Sequence, residues 1–359
     1  MFNFQDLKTV HLEISTRCQA SCPMCPRNYH GGLENPNLKI ADWTYADFIR
    51  IFDTDTLKQI TGIYFCGNFG DPIMNDDLIL MCQYLKDHAP TIDLRIHTNG
   101  GARSTRWWQA LRQSLPDKHV VIFALDGLED THHLYRIGTK YENVIRNAST
   151  FINEGGTAEW VFIKFKHNEH QVEEAERRSK QLGFARFAVK NTIRFIGEPK
   201  FSVLDKNGEH KYYLEPPETN QVILIDRQAV ENFNTWYKET EIECYAQVNK
   251  EIYIDAHRNL FPCCFLASAP YNHSYSQPLL TDIRNKIVEQ YHGLVDSIGG
   301  INNLSLDSHS IKEVVNSTAW QTVWDEYWTS KKLITCARTC GKTNLSKPKD
   351  QFVKRTNNE

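Results

Sequence analysis

The chain has 359 residues, 41% of them hydrophobic, enough for one large core or two modest ones. Its formal net charge of -3 gives no global basic field for nucleic acid. No apolar run approaches the ~20 residues of a membrane span, and the first residues lack the basic start and apolar stretch of a signal peptide. Ten cysteines in such a chain point to a reducing compartment and to metal ligation instead of disulfides, so the expected location is cytoplasmic.

Strand-like segments alternate with helix-like ones over the first half. Short runs rich in Val, Ile and Phe predict strands at 10–14, 62–66, 93–97, 120–125, 159–165 and 184–189. Between them, Leu78, Met81, Cys82 and Leu85 lie at helical spacing over 77–88, and Val144, Ile145, Ala148 and Ile152 over 141–153. A third helix is expected over 168–182, opened by a capping box of Asn168 and Gln171 and ended at Gly183. Repeated strand–helix units imply a parallel sheet with right-handed crossovers, and six of them imply an α/β partial (β/α)6 barrel of TIM type. Reactive groups in such barrels gather at the C-terminal ends of the strands.

Directly after the first strand comes C-x3-C-x2-C, formed by Cys18, Cys22 and Cys25. Three thiolates can hold three irons of a [4Fe-4S] cluster and leave the fourth iron open to a small molecule, whereas clusters that only carry electrons usually close all four corners with cysteine. The alternative is a structural zinc site, with His30 as the nearest fourth ligand.

Three later segments stand in register with this loop. They are residues 64–72 (YFCGNFGDP), 96–100 (IHTNG), and 121–127 (VIFALDG) followed by 132–136 (HHLYR). Together with the cysteine loop they resemble the radical S-adenosylmethionine (SAM) enzymes. The resemblance implies that Gly70 and Asp71 hold the methionine amino group, with Asp71 where the family has Glu. Thr98 and Asn99 would lie near the ribose, and Asp126 and Arg136 would complete the SAM contacts. Met24 stands where the family usually has an aromatic residue, and Ala124 where it often has Ser. A reduced cluster in such enzymes passes an electron to the sulfonium, and the resulting 5′-deoxyadenosyl radical abstracts hydrogen from an unactivated carbon.

Residues 196–240, with prolines 199, 216 and 217 and poor periodicity, read as a linker or lid after a barrel of residues 1–195. Residues 241–347 carry a second cysteine set. A hairpin with its turn at 256–259 delivers Cys263, flanked by Cys244 and by Cys336 and Cys340. This resembles the SPASM and twitch auxiliary-cluster modules of the same family, with Arg258 at the usual glycine. The resemblance implies a second [4Fe-4S] cluster on Cys244, Cys263, Cys336 and Cys340, with Cys264 in reserve; a zinc site on the same four is the alternative. A helix over 312–329 aligns Trp320, Trp324 and Trp328 for packing. Residues 348–359 read as a disordered tail.

The reading is an oxidoreductase or modifying enzyme using SAM and two clusters, supplied with electrons by flavodoxin or ferredoxin. In the family this architecture serves peptide and protein modification, which makes a peptide or protein the favoured substrate. A small-molecule or nucleoside dehydrogenase or isomerase is the alternative, and no N-terminal peptide-docking domain is expected ahead of the first strand. A non-catalytic iron–sulfur or zinc module is the reading from another class. Cys82 reads as core. Cys66 ends a strand near the proposed site, and burial is its simpler role. Lys164, His167 and Arg194, near later strand ends, are candidates for contact with the substrate radical.

Overall fold

The computed structural model describes residues 1–192, 195, 200–218, 233–271, 278–342 and 352–357. Six parallel strands form the barrel sheet: β1 (Thr9–Leu12), β2 (Gly62–Phe65), β3 (Asp93–Thr98), β4 (His119–Ala124), β5 (Ala158–Lys164) and β6 (Arg186–Asn191). All six expected strands are present, with ends displaced by up to two residues. Period-2 alternation sorts their faces. Val10, Leu12, Ile63, Phe65, Leu94, Ile96, Val121 and Phe123 are buried under the helices. The inner face carries His11 stacked on Tyr64, with His97 next to it.

The helices pack as their apolar spacing requires. Leu78–His88 buries Leu78, Met81, Cys82 and Leu85, so Cys82 is core as expected. Tyr141–Asn153 buries Val144, Ala148 and Phe151. Fully buried Trp108, Phe123, Phe151 and Trp160 join these layers; deleting such an aromatic side chain costs about 3–5 kcal/mol.

Three local expectations are corrected. Asn168 and Gln171 do not cap a helix; they open a single 3₁₀ turn, and the α-helix is Val172–Gln181. Asn168 instead accepts from the Phe165 amide and donates to the carbonyls of Asp126 and Ile163, while Gln171 donates to Asp130 and accepts from the Leu128 amide. Buried backbone groups around Asp126 need partners, and that need outweighs the cap. The helix expected over 312–329 is two helices, Ile311–Asn316 and Thr318–Thr329, because extended Ser317 caps the second by accepting from the Trp320 amide.

The third correction concerns the ends of the sheet. An antiparallel ribbon, β7 (Phe201–Leu204) with β8 (His210–Leu214), lies in the segment read as linker or lid. The cysteine hairpin is β9 (Glu251–Ile254) with β10 (Leu260–Phe261), and β11 (Phe352–Asn357) lies where a disordered tail is expected. The sheet order is β10-β9-β1-β2-β3-β4-β5-β6-β11, with β9 parallel to β1 and β11 antiparallel to β6. Pairing satisfies the edge of β6, which the polar tail composition does not foretell. The hairpin likewise extends the barrel sheet, and one hydrophobic cluster runs from Val10 and Phe65 to Leu260 and Trp324. Among the described residues no helix is long and apolar enough to cross a membrane.

Candidate active site

β1 ends by delivering the cysteine loop across the C-terminal ends of its neighbours. Cys22 is buried, while Cys18 and Cys25 are half-buried. The loop packs into a small cluster with Met24, Tyr135, Phe165, Phe195, Val203 and Leu214. The ribbon β7–β8 covers it from one side. The Leu204 amide donates to the His30 carbonyl, the Tyr212 hydroxyl donates to the Leu134 carbonyl, and Phe201 stacks on His30. The His30 ring nitrogen Nδ1 pairs with the Ser202 carbonyl at 2.6 Å, so that nitrogen is taken by the ribbon and not by the cysteines.

Each of two cysteines meets a side-chain N–H donor. Asn99, just past β3, directs Nδ2 at Cys18 Sγ (3.6 Å) and at Asp71 Oδ2 (2.6 Å). Asp71 sits past β2 and also accepts from the Asn99 amide at 2.7 Å. Gly70 beside it crowds the segment that follows β1: a Cβ there would lie 1.8 Å from the Ser15 carbonyl oxygen. Thr98 accepts from the Gly100 amide. Across the site, Arg136 Nη1 approaches Cys22 Sγ at 3.7 Å, and its Nε donates to Asp126 Oδ2 at 2.6 Å. Asp126, past β4, is fully buried and accepts from the Ile163 amide. Eight of the nine residues expected at the first site therefore follow the ends of β1 to β4, and Thr98 is the last residue of β3. Two contact networks, Cys18–Asn99–Asp71 and Cys22–Arg136–Asp126, join six of them.

Burial pushes the Cys22 thiol up to about 11, and the Arg136 guanidinium pulls against that rise. Burial, Asp71 and the neighbouring thiols push Cys18 well above the ordinary range. Without metal both are thiols at neutral pH, and ligation has to displace their protons. Among the described residues no three His, Cys, Asp or Glu side chains converge closely enough to hold a single metal ion. A tetrahedral zinc site needs donors gathered on one point, whereas a four-iron cluster takes each thiolate at a different corner. The donor set, with N–H groups aimed at two sulfurs, fits the cluster.

In the C-terminal region Cys244 lies within hydrogen-bonding reach of Cys340, and Cys263 and Cys336 are near enough to Cys340 for their charges to interact. The four cysteines expected as auxiliary ligands thus share one neighbourhood. Cys264 is Cys263's neighbour in sequence, and it also lies near Cys66, Glu251 and Tyr245 on the barrel side. Arg258 adopts the left-handed conformation (φ 65°) that glycine usually supplies. Its Nε donates to Asp307 at 2.5 Å, with Asp47 at 3.8 Å.

Of the later candidates, His167 stacks on Phe165, and burial holds its ring down to about 4. Lys164 ends β5, and Arg194 lies outside the described residues. Cys66 follows β2, with its thiol pushed up to about 12 by burial, then by Glu13. Sequence reasoning missed Glu13. Its Oε1 accepts from the amides of Phe69 (2.8 Å) and Gly70 (3.1 Å), and its Oε2 from the Tyr253 hydroxyl (2.5 Å). The available signal was a carboxylate inside an otherwise apolar strand segment.

No protein-family model matches the chain. A curated relative from Pyrococcus furiosus, a tungsten-containing aldehyde ferredoxin oxidoreductase cofactor-modifying protein, is 25% identical over 201 residues, 54% of this chain and 53% of its own. The chain thus spans about half the length of that relative. Among solved structures, anSMEcpe with bound AdoMet (SAM) and the Cp18Cys peptide matches with a TM-score of 0.54 at 14% identity, covering 96% of this chain and 91% of that one. Streptococcus suis SuiB bound to its precursor peptide SuiA matches at 0.50 and 16% identity, covering 78% and 64%. The architecture is that of a partial-barrel protein whose site lies at the strands' C-terminal ends. At these identities the likeness to both solved structures is one of fold.

Proposed function

We propose that the chain is a radical SAM enzyme that modifies a peptide or protein. The observation that carries this reading is the cysteine loop, its sulfurs met by Asn99 and Arg136, beside the Gly70–Asp71 segment at the strand ends. Cys18, Cys22 and Cys25 would hold a [4Fe-4S] cluster, and Cys244, Cys263, Cys336 and Cys340 a second. When bound, the first cluster supplies the electron, drawn from flavodoxin or ferredoxin, that cleaves SAM to methionine and a 5′-deoxyadenosyl radical able to abstract hydrogen from substrate.

The chain's own residues bind and orient. Asp71 offers a carboxylate, fixed by Asn99, to the methionine amino group. Arg136, held by Asp126, keeps a positive charge beside the Cys22 sulfur: burial alone would lower its pKa, and Asp126 and Cys22 more than offset that. The β7–β8 ribbon shields the loop from water on one side. The peptide substrate draws support from anSMEcpe and SuiB, each solved with a peptide. The P. furiosus relative, a cofactor-modifying protein, favours a second reading in which a small molecule is modified.

The test is anaerobic reconstitution with iron and sulfide, then incubation with SAM, a one-electron reductant and a peptide library. Release of 5′-deoxyadenosine with a peptide changed by two hydrogens supports the proposal. The same release with change only in a small-molecule pool moves the case to the second reading. Release that persists in a Cys18→Ala, Cys22→Ala, Cys25→Ala variant refutes both.

A further inference from the structure

We propose that Glu13 is a positioning residue that ties the SAM-binding loop to the C-terminal cysteine hairpin, so that SAM affinity depends on a contact made outside the barrel's own loops. This rests on the reading above, in which the Gly70–Asp71 segment receives the methionine amino group.

Loop 67–71 is held at its end by the Asp71 amide, which donates to the Arg17 carbonyl, and by Asn99 on the Asp71 carboxylate. Three further anchors tie it, directly or through Glu13, to the hairpin. First, Glu13 Oε1 accepts from the consecutive amides of Phe69 and Gly70, the bonds that orient the loop's backbone toward Asp71. Second, Glu13 Oε2 accepts from the Tyr253 hydroxyl on β9. Third, Asn68 Nδ2 donates to the Tyr253 hydroxyl at 3.3 Å and to the Cys264 carbonyl at 2.9 Å, one residue beyond Cys263. The loop is thus bonded to the hairpin strand and to the turn that carries an auxiliary cysteine. Glu13 is 1% exposed. The groups that offset its burial are neutral donors: Tyr253, Phe69, Gly70 and Asn68. Asp126, by contrast, has the Arg136 cation. A buried carboxylate stabilised by neutral donors depends on every one of them, and loss of one donor leaves an incompletely satisfied charge. Such a carboxylate shifts when Tyr253 withdraws, and the amides of Phe69 and Gly70 shift with it. Coupling of this kind is reciprocal, so SAM occupancy would in turn steady the hairpin.

The experiment measures SAM dissociation constants by equilibrium dialysis on anaerobically reconstituted holoenzyme, with iron content, kcat and KM determined in parallel. Tyr253→Phe keeps the ring and removes the hydroxyl. It is expected to weaken SAM binding about tenfold, equivalent to about 1.4 kcal/mol. Iron content and kcat at saturating SAM should stay within about twofold. Glu13→Gln, whose amide oxygen can still accept from Phe69 and Gly70, should bind SAM better than Glu13→Ala. The Glu13→Gln, Tyr253→Phe double variant should be no weaker than the weaker single one, because both act through one bond. Unchanged affinity in Tyr253→Phe, or a fall in kcat with KM unmoved, overturns the inference alone. A wild-type holoenzyme that binds no SAM overturns the functional reading and this inference together.

Discussion

Replacing Arg136 by Met removes the cation from a fully buried carboxylate. Asp126 has no exposed surface, and Arg136 is 15% exposed, with 2.6 Å between Nε and Oδ2. Breaking a buried pair by deleting one partner costs about 3–5 kcal/mol, since the remaining charge keeps its desolvation penalty and loses its attraction. The remaining donor to the Asp126 carboxylate, the Ile163 amide at 2.5 Å, cannot replace a charge. The expected loss is therefore about 3–5 kcal/mol, a large fraction of the 5–15 kcal/mol typical of a folded protein. The assay is urea unfolding of the reduced, metal-free chain at pH 7.5, reading the first transition. In the variant Asp126 has lost the Arg136 charge that pulls it down, so its folded pKa should lie well above the unfolded ~3.9. The penalty is then present at neutral pH and vanishes as the pH falls below the unfolded value. Asp126→Asn in the Arg136→Met background should recover at least about 2 kcal/mol. A loss under about 1 kcal/mol, or strict additivity of the two changes, would refute the account of a paired, dry charge.

Glu13 gives a pH signature of opposite sign to an ordinary ion-paired acid. Burial pushes its carboxyl up to about 7, so the folded state binds the extra proton between about pH 4.5 and 7. Stability should decline across that window by roughly 3 kcal/mol, and Glu13→Gln should flatten the decline in a pH series of unfolding curves. Gly70→Ala drives a Cβ to 1.8 Å from the Ser15 carbonyl oxygen, so the loop must move. SAM affinity, measured by dialysis, should fall more than tenfold; affinity retained would show that the loop does not bind SAM in this conformation. At the hairpin turn, Arg258→Gly relieves a left-handed backbone and Arg258→Ala does not, while both lose Asp307 and Asp47. The Gly variant should therefore exceed the Ala variant by about 1 kcal/mol in melting experiments.

The barrel was legible because parallel strands buried on both faces are short apolar runs, and the helices between them keep period 3.6. The neighbourhood of the proposed first-site residues was legible because all but Thr98, the last residue of β3, follow a strand end, where side chains of distant segments must meet. Asn168 shows the limit. Its spacing to Gln171 signals a cap, but only the folded loop reveals that the carbonyls of Asp126 and Ile163 need its amide more. The β9 pairing with β1 is a contact between residues 9–12 and 251–254, and no local pattern encodes such a distance. The tail strand is similar: residues 352–357 have polar composition, and the open edge of β6 recruits them. The turn at Arg258 reads as a conflict in sequence and resolves in space, where two aspartates hold the side chain of a strained residue.

The central claim is that the N-terminal loop holds iron with one corner left for SAM. Electron–nuclear double resonance on the reduced holoenzyme, with SAM labelled with ¹⁵N at its amino group, tests it directly. The account predicts a hyperfine coupling from that nitrogen to a [4Fe-4S] signal that disappears when Cys18, Cys22 and Cys25 are replaced by Ala. An iron signal indifferent to labelled SAM, or stoichiometric zinc in the loop, would contradict it.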